Sequence, residues 1–337
     1  MRRGKAVAAG KAGKAVAAGK AGKAGKAGTA GKGGSPTDAP AGTAAAPQTA
    51  TETSPALCSA SSLSRNPRKT CYSHEELKEL CAAYNRTTRG ERIQIEGASP
   101  DRLLSALKSN LAPLCDSERC WLSLGILPGD AEKRLENNFA PVKPASWKRN
   151  PTEWLSNHDI EAAITRHTAR HEDFRLLGVY PMDFMDNDAS GKCVSSLCGF
   201  RVGELLRQGT KRAAIVLNTD KHTESGQHWV SLFIHACPHD RRYGVYFFDS
   251  TGRPPTQEVD TFSNMVVEQL KGAFGDTPEP VYSFNDRVQQ KANTECGIFC
   301  VHFVMMMLGS CGFRKVCSNI GDDVKMMKLR SELFSDG

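Results

Sequence analysis

Four residues in the C-terminal part of the chain have types and spacing suited to acyl chemistry: His228, Asp249, Gln290 and Cys296. A cysteine attacks a carbonyl as its thiolate and needs a base within hydrogen-bond reach. Cys296 follows Asn293-Thr294, residue types that cap helices, and opens an apolar run. It is therefore expected at a helix N-terminus, where the dipole and free amides favour a thiolate. Gly297 beside it would let a substrate backbone approach closely. His228 supplies the base, and Trp229 next to it would wall a cleft. A third group must hold the imidazole in its useful tautomer; Asp249 closes the next apolar run, Tyr246-Phe247-Phe248-Asp249. An oxyanion needs a donor, and Gln290 lies six residues before Cys296, in the segment entering the helix. Each residue alone has a structural alternative. His228 could be a strand-end histidine, Asp249 a turn residue before Ser-Thr-Gly, and Cys296 a core thiol like Cys300, one helical turn on. Together they point to a thiolate–imidazolium pair with an orienting carboxylate and an amide donor.

The elements that must position this set follow from periodicity. Ala213–Leu217, Trp229–His235, Tyr243–Phe248 and Val281–Phe284 are short runs rich in β-branched and aromatic residues and read as strands. Glu258–Phe274 has helical spacing, and Glu295–Leu308 is apolar on nearly every side, so it is a buried helix. Upstream, His74–Tyr84 carries Leu77, Leu80, Cys81 and Tyr84 at helical spacing, with Ser73 and Glu76 set for a capping box. Asp101–Leu111 repeats the pattern. Pro141, Pro144 and Pro151 mark a connector, after which Thr152 is expected to cap a helix from Glu153 to about Arg170. Helices, then several strands, a helix, a strand and a buried helix give α+β rather than a repeating βα wind.

His228-Trp229, then Asp249, then Gln290 with five residues to Cys296-Gly297, resembles the signature of the Ulp1/adenain-like cysteine proteases. Trp154-Leu155-Ser156-Asn157 resembles that family's Trp-Leu-Asn-Asp stretch, with Asn157 where the family usually has Asp. Pro144 to Leu155, Leu217 to Asp220 with Gly226 to Trp229, and Phe248 to Gly252 are similar to thiol proteases of large nucleocytoplasmic DNA viruses. The resemblance spans roughly residues 70–310. It implies a central mixed sheet packed by helices, with the nucleophile at the N-terminus of a buried helix. It implies His228, Asp249 and Cys296 as catalytic residues and Gln290 in the oxyanion hole. Trp229, Trp154, Asn157 and Gly297 are then the substrate-binding residues. Cleavage is expected after Gly-Gly-type sequences, in viral polyprotein or capsid maturation or, alternatively, in removal of a SUMO- or ubiquitin-like modifier. An acyltransferase on the same fold would use the same acyl-enzyme.

Composition adds a second lead. The 337 residues carry a formal charge of +7, all of it local. Residues 1–33 hold nine basic residues (Arg2, Arg3, Lys5, Lys11, Lys14, Lys20, Lys23, Lys26, Lys32) and no acidic ones. The remaining 35 basic and 37 acidic residues leave the body at −2. That excludes a protein binding nucleic acid over its whole surface. It fits a folded body with a polycationic arm, whose partner would be non-specific DNA or RNA bound through its phosphates; the resemblance to adenain implies DNA as tether or activator. Gly-Lys-Ala recurs with a period near three, and this stretch resembles the Lys-Ala-rich tails of linker histones. Such composition cannot offset ordering entropy, so residues 1–66 read as a disordered tail. Residues 67–150 read as a helical accessory region, 151–312 as the catalytic domain and 313–337 as a C-terminal segment. Gly33-Gly34-Ser35, where the repeat ends, is a candidate self-cleavage point. A different class, a non-catalytic DNA-binding virion scaffold, would use the tail alone.

No apolar run of about 18 residues occurs, so no membrane span or membrane partner is expected. The start lacks a secretory apolar region. Twelve cysteines then point to a reducing compartment, the virion, host cytoplasm or nucleus, with most thiols buried or ligating. No cofactor or metal is expected at the reactive site. Cys115 and Cys120 with Cys193 and Cys198 offer one competing four-thiolate zinc reading.

Overall fold

Strand by strand, alternate side chains of the central sheet enter two different cores. Ala214, Val216, Phe233, Tyr246 and Phe248 face one; Ala213, Ile215, Leu217, Leu232, Ile234, Val245 and Phe247 face the other. A sheet covered on both faces needs apolar residues at both parities, and this is why its strands read as continuous apolar runs. The computed structural model describes residue 58 and residues 70–169, 171–274, 278–309 and 311–336. The basic tail and Gly33-Gly34 lie outside these residues.

The sheet has five strands in the order β1-β2-β3-β4-β5: Phe174–Tyr180, Arg212–Asn218, Trp229–His235, Gly244–Phe248 and Val281–Phe284. The two outer pairings are parallel and the two inner ones antiparallel, so the sheet is mixed, as expected. Helices precede it in the chain: α1 (His74–Thr87), α2 (Pro100–Leu111), α3 (Gly129–Glu136) and α4 (Asn157–Thr168). Between strands lie α5 (Val202–Arg207) and α6 (Gln257–Phe274), which cover the second face. After the sheet come α7 (Cys296–Leu308), α8 (Phe313–Asn319) and α9 (Asp323–Leu333), which with α4 cover the first. Buried on nearly every side, α7 packs between β3 and α4, and Phe303 stacks on Phe248 at 4.8 Å.

A third apolar core gathers Tyr72, Leu77, Leu80, Leu107, Trp121 and Phe139 from α1 to α3. The capping box expected at α1 is present: Glu76 N–H donates to Ser73 Oγ, and Ser73 N–H donates to Glu76 Oε2 at 2.7 Å. Backbone bonds from Lys143 N to Ser335 O and from Ser335 N to Pro141 O, both 2.8 Å, join the segment after this core to the C-terminal end.

Four expectations need correction. The helix expected from Glu153 under a Thr152 cap starts at Asn157, capped by Ser156 with Asp159 closing the box. Residues 153–156 stay out of the helix because the Trp229 indole takes the Leu155 carbonyl at 3.0 Å. The cap of α7 is Glu295, without a side-chain cap bond, rather than Asn293 or Thr294. β1 is a strand that periodicity does not announce, since its residues are mostly half-buried and Gly178 marks an irregularity in its register. Finally, six of the twelve cysteines are paired rather than free or zinc-ligating. Cys115–Cys120, Cys193–Cys198 and Cys58–Cys71 are disulfides, so the four proposed zinc thiolates are consumed pairwise. Among the described residues no cluster of His, Cys, Asp or Glu is arranged for a metal, and no helix is long and apolar enough to cross a membrane.

Candidate active site

Antiparallel pairing of Ser231 with Phe248 brings the start of β3 and the end of β4 to one edge of the sheet. His228 and Asp249 meet there, with His228 Nε2 2.7 Å from Asp249 Oδ1. The same carboxylate oxygen accepts the Thr251 N–H at 2.7 Å and the Thr251 hydroxyl at 2.8 Å. Three donors fix the carboxylate, and the carboxylate fixes the imidazole. Since Nε2 is engaged by Asp249, Nδ1 is the nitrogen left for the thiol of Cys296, which is hydrogen-bonded to His228.

The electrostatics follow the geometry. Burial works against a charge on His228. The hydrogen bonds from Asp249 and Cys296, and their charges, outweigh it and raise its pKa from 6.5 to about 9. Burial likewise works against a charged Asp249, but the His228 hydrogen bond and charge and the two Thr251 donors hold its carboxyl below the usual range. Cys300, one turn along α7, is driven well above the ordinary thiol value by complete burial. It is a core thiol, as expected.

Two side chains that sequence does not mark as site residues support this line. Asn285, directly after β5, accepts the Asp249 N–H at 2.8 Å and donates to the Asp249 carbonyl at 2.7 Å. It acts as one more rung of the β4–β5 ladder at the point where Asp249 leaves the strand. Ser250 accepts the backbone N–H groups of Gln289 and Gln290 at its carbonyl, both at 2.9 Å. Its hydroxyl donates to Gln290 Oε1 at 2.6 Å. With the amide oxygen so occupied, the NH2 end of Gln290 is the one left to donate. Gly252 completes this turn at φ +72°; a Cβ there would lie 2.8 Å from the Arg287 carbonyl carbon. Neither Asn285 nor Ser250 stands out in sequence, because each acts on a residue some 36 or 40 positions away.

The residues expected to contact substrate divide. Trp154, Asn157 and Trp229 line a cleft of about 590 Å³. Trp154 and Asn157 are exposed; Trp229 is buried, one face in the core, its indole tied to Leu155. The opposite wall is the loop joining β2 to β3. Asn218 Oδ1 accepts the N–H groups of Asp220 and Gln227, and Thr219 N–H donates to the His228 carbonyl at 2.8 Å. Asp183 holds this loop from beneath, accepting both the backbone and ring N–H of His222. Gly297 differs from its expected role. Its missing side chain points at Leu155, whose Cβ lies 3.0 Å from where a Cβ would stand, so it serves the close packing of α7 on the α4 segment. The nine basic tail residues lie outside the described residues.

Comparison with known proteins bears on the family and the fold. Residues 213–332 match the Ulp1 protease family, C-terminal catalytic domain. A protein of Acanthamoeba polyphaga mimivirus, designated a thiol protease, is 24% identical over 266 residues, covering 74% of this chain and 84% of its own. The SUMO-1 cysteine protease of African swine fever virus is 26% identical over 281 residues, 78% of this chain and 94% of its own. The crystal structure of the African swine fever virus protease has a TM-score of 0.51 at 21% identity, over 76% of this chain and 95% of that one. The fold is shared with that structure.

Proposed function

We propose that this cysteine peptidase, whose residues 213–332 match the Ulp1 protease family, C-terminal catalytic domain, hydrolyses peptide or isopeptide bonds after Gly-Gly-type sequences in viral polyprotein or capsid protein maturation. The observation that carries this is the line from Asp249 through His228 to Cys296, with the amide of Gln290 turned by Ser250. Cys296 Sγ attacks the scissile carbonyl as the thiolate. The Gln290 amide and the Cys296 backbone N–H hold the oxyanion; losing one such donor typically costs roughly 10²–10³ in rate. His228, charged in the resting pair, gives its proton to the leaving amine and then takes one from the water that releases the acyl group. Asp249 keeps Nε2 of the ring engaged, so Nδ1 always faces the reaction.

The cleft between Trp154 and the β2–β3 loop is lined by Trp229, the residue after His228, and its aromatic walls suit an extended segment of small residues. A viral setting is supported by the two viral relatives, one designated a thiol protease. A second reading, removal of a SUMO-like modifier, is favoured by the designation of the African swine fever virus relative as a SUMO-1 cysteine protease. The tail is proposed to hold the enzyme on DNA through phosphate neutralisation.

Wild type and Cys296→Ala are to be offered a Gly-Gly-X peptide panel and SUMO- and ubiquitin-fluorophore conjugates. Cleavage by wild type alone is expected, with the variant folded. Equal turnover by Cys296→Ala would remove the assignment, and the preferred substrate chooses between the two readings.

A further inference from the structure

The loop that carries both the oxyanion donor and the nucleophile, residues 290–296, is gripped from outside the sheet by α9. In the first turn of α9, Asp323 Oδ2 accepts the backbone N–H groups of Lys291 at 2.8 Å and Ala292 at 3.1 Å. Seven residues on, Arg330 Nε donates to Glu295 Oε2 at 3.0 Å and Nη2 donates to the Thr294 carbonyl at 3.3 Å. Its Nη1 donates to the Glu153 carbonyl at 2.8 Å, beside the cleft residue Trp154. Asp323, Met326, Arg330 and Leu333 recur at intervals of three and four, so they share one face of the helix. Two turns separate the two grips, about 10 Å along the axis.

Neither residue is needed to build α9 itself. Its N-cap is Asp322, whose side chain accepts the Lys325 N–H at 3.1 Å. Arg330 is 4% exposed and Glu295 fully buried, and the guanidinium lies 4.5 Å from the centre of the Trp147 ring. Burying such a pair is a poor route to stability, since apolar residues of similar volume usually do as well. What the pair does achieve is directional: the fork fixes Thr294 and Glu295, the two residues before the nucleophile, against the cleft wall.

We infer that Asp323 and Arg330 are positioning residues of the reaction. Together they set the path of residues 291–295, so that the Gln290 amide and the Cys296 N–H converge on one oxyanion. The inference rests on the proposed roles of Gln290 and Cys296. It predicts a defect in transition-state stabilisation while the thiolate pair stays intact.

The test compares wild type, Cys296→Ala, Asp323→Ala and Asp323→Asn in full-length protein. Hydrolysis of a fluorogenic Gly-Gly peptide gives kcat and KM. Alkylation of Cys296 by iodoacetamide, read by mass spectrometry, reports the thiolate without using an oxyanion hole. Asp323→Ala is expected to lose about tenfold or more in kcat, with KM and the alkylation rate within about twofold of wild type. Asp323→Asn, which keeps an acceptor oxygen, is expected to recover most of the loss. For Arg330, the double variant Arg330→Met with Glu295→Gln avoids stranding a buried charge and is expected to fold with lowered kcat. Wild-type kcat in Asp323→Ala and in the double variant would overturn the inference. So would parallel losses of turnover and alkylation, which mark a merely loosened fold. Wild type without Cys296-dependent hydrolysis would overturn the proposed function, and this inference with it.

Discussion

His228 is the residue whose protonation the site alters most usefully. Burial alone would drive the imidazole neutral; Asp249 and Cys296 reverse this and lift its pKa to about 9. The folded state thus holds a proton that the unfolded chain releases near 6.5. The stability this contributes is complete below about pH 6.5 and is lost as the pH rises through about 9. The same proton is the one delivered to the leaving amine. The alkaline limb of kcat/KM is therefore expected near pH 9, and in Asp249→Asn it should move down. A limb close to pH 6.5 in wild type, measured over a pH series on a Gly-Gly peptide, would mean that neither partner holds the proton. The candidate set His228, Asp249, Gln290 and Cys296 is legible in sequence because its residue types are those the chemistry requires and its order is that of the Ulp1/adenain-like proteases it resembles. Ser250 and Asn285 are not, because a serine and an asparagine beside turns are ordinary, and their roles arise only when β4 and β5 lie side by side.

At the scale of elements, β2, β3, β4 and α7 are readable because each is buried along most of its length, and α6 because its buried residues recur at helical spacing. β1 escapes because an edge strand with half-buried residues has no clear period. The start of α4 falls four residues later than local signals place it, because the Leu155 carbonyl is held by Trp229, a tertiary contact that no local propensity records. That contact makes the α4 segment the piece that joins nucleophile to cleft. Leu155 packs on Gly297, and its neighbour Trp154 lines the cleft. Gly297→Ala tests the joint. Alanine would favour the helix by up to about 1 kcal/mol, but its Cβ would press on Leu155 Cβ at 3.0 Å. Overpacking typically costs about 1–3 kcal/mol, so a net loss of about 1 kcal/mol is expected in urea unfolding, with a raised KM. An unchanged midpoint would show that α4 and α7 have room to separate.

For the whole molecule, the division of charge is the feature most open to test. A body at −2 repels polyanions weakly or is indifferent to them, whereas residues 1–33 carry nine cationic side chains without one acidic residue. Each phosphate neutralised on duplex DNA releases counterions and contributes about −0.9 to the slope of log K against log salt. Nine contacts at most therefore bound the slope at about −8. Phosphate contacts made by a repeated Gly-Lys-Ala charge pattern carry no sequence information, so duplexes of different sequence should bind alike. Removing residues 1–33 should abolish binding at physiological salt and leave peptide hydrolysis intact, because the site is assembled from residues 153–330. Fluorescence anisotropy on two unrelated duplexes over a salt series reads both slope and sequence dependence. If the shortened chain kept its affinity, the cationic contacts would have to lie on the body despite its net charge. If only one duplex bound, specific base contacts would replace the phosphate account.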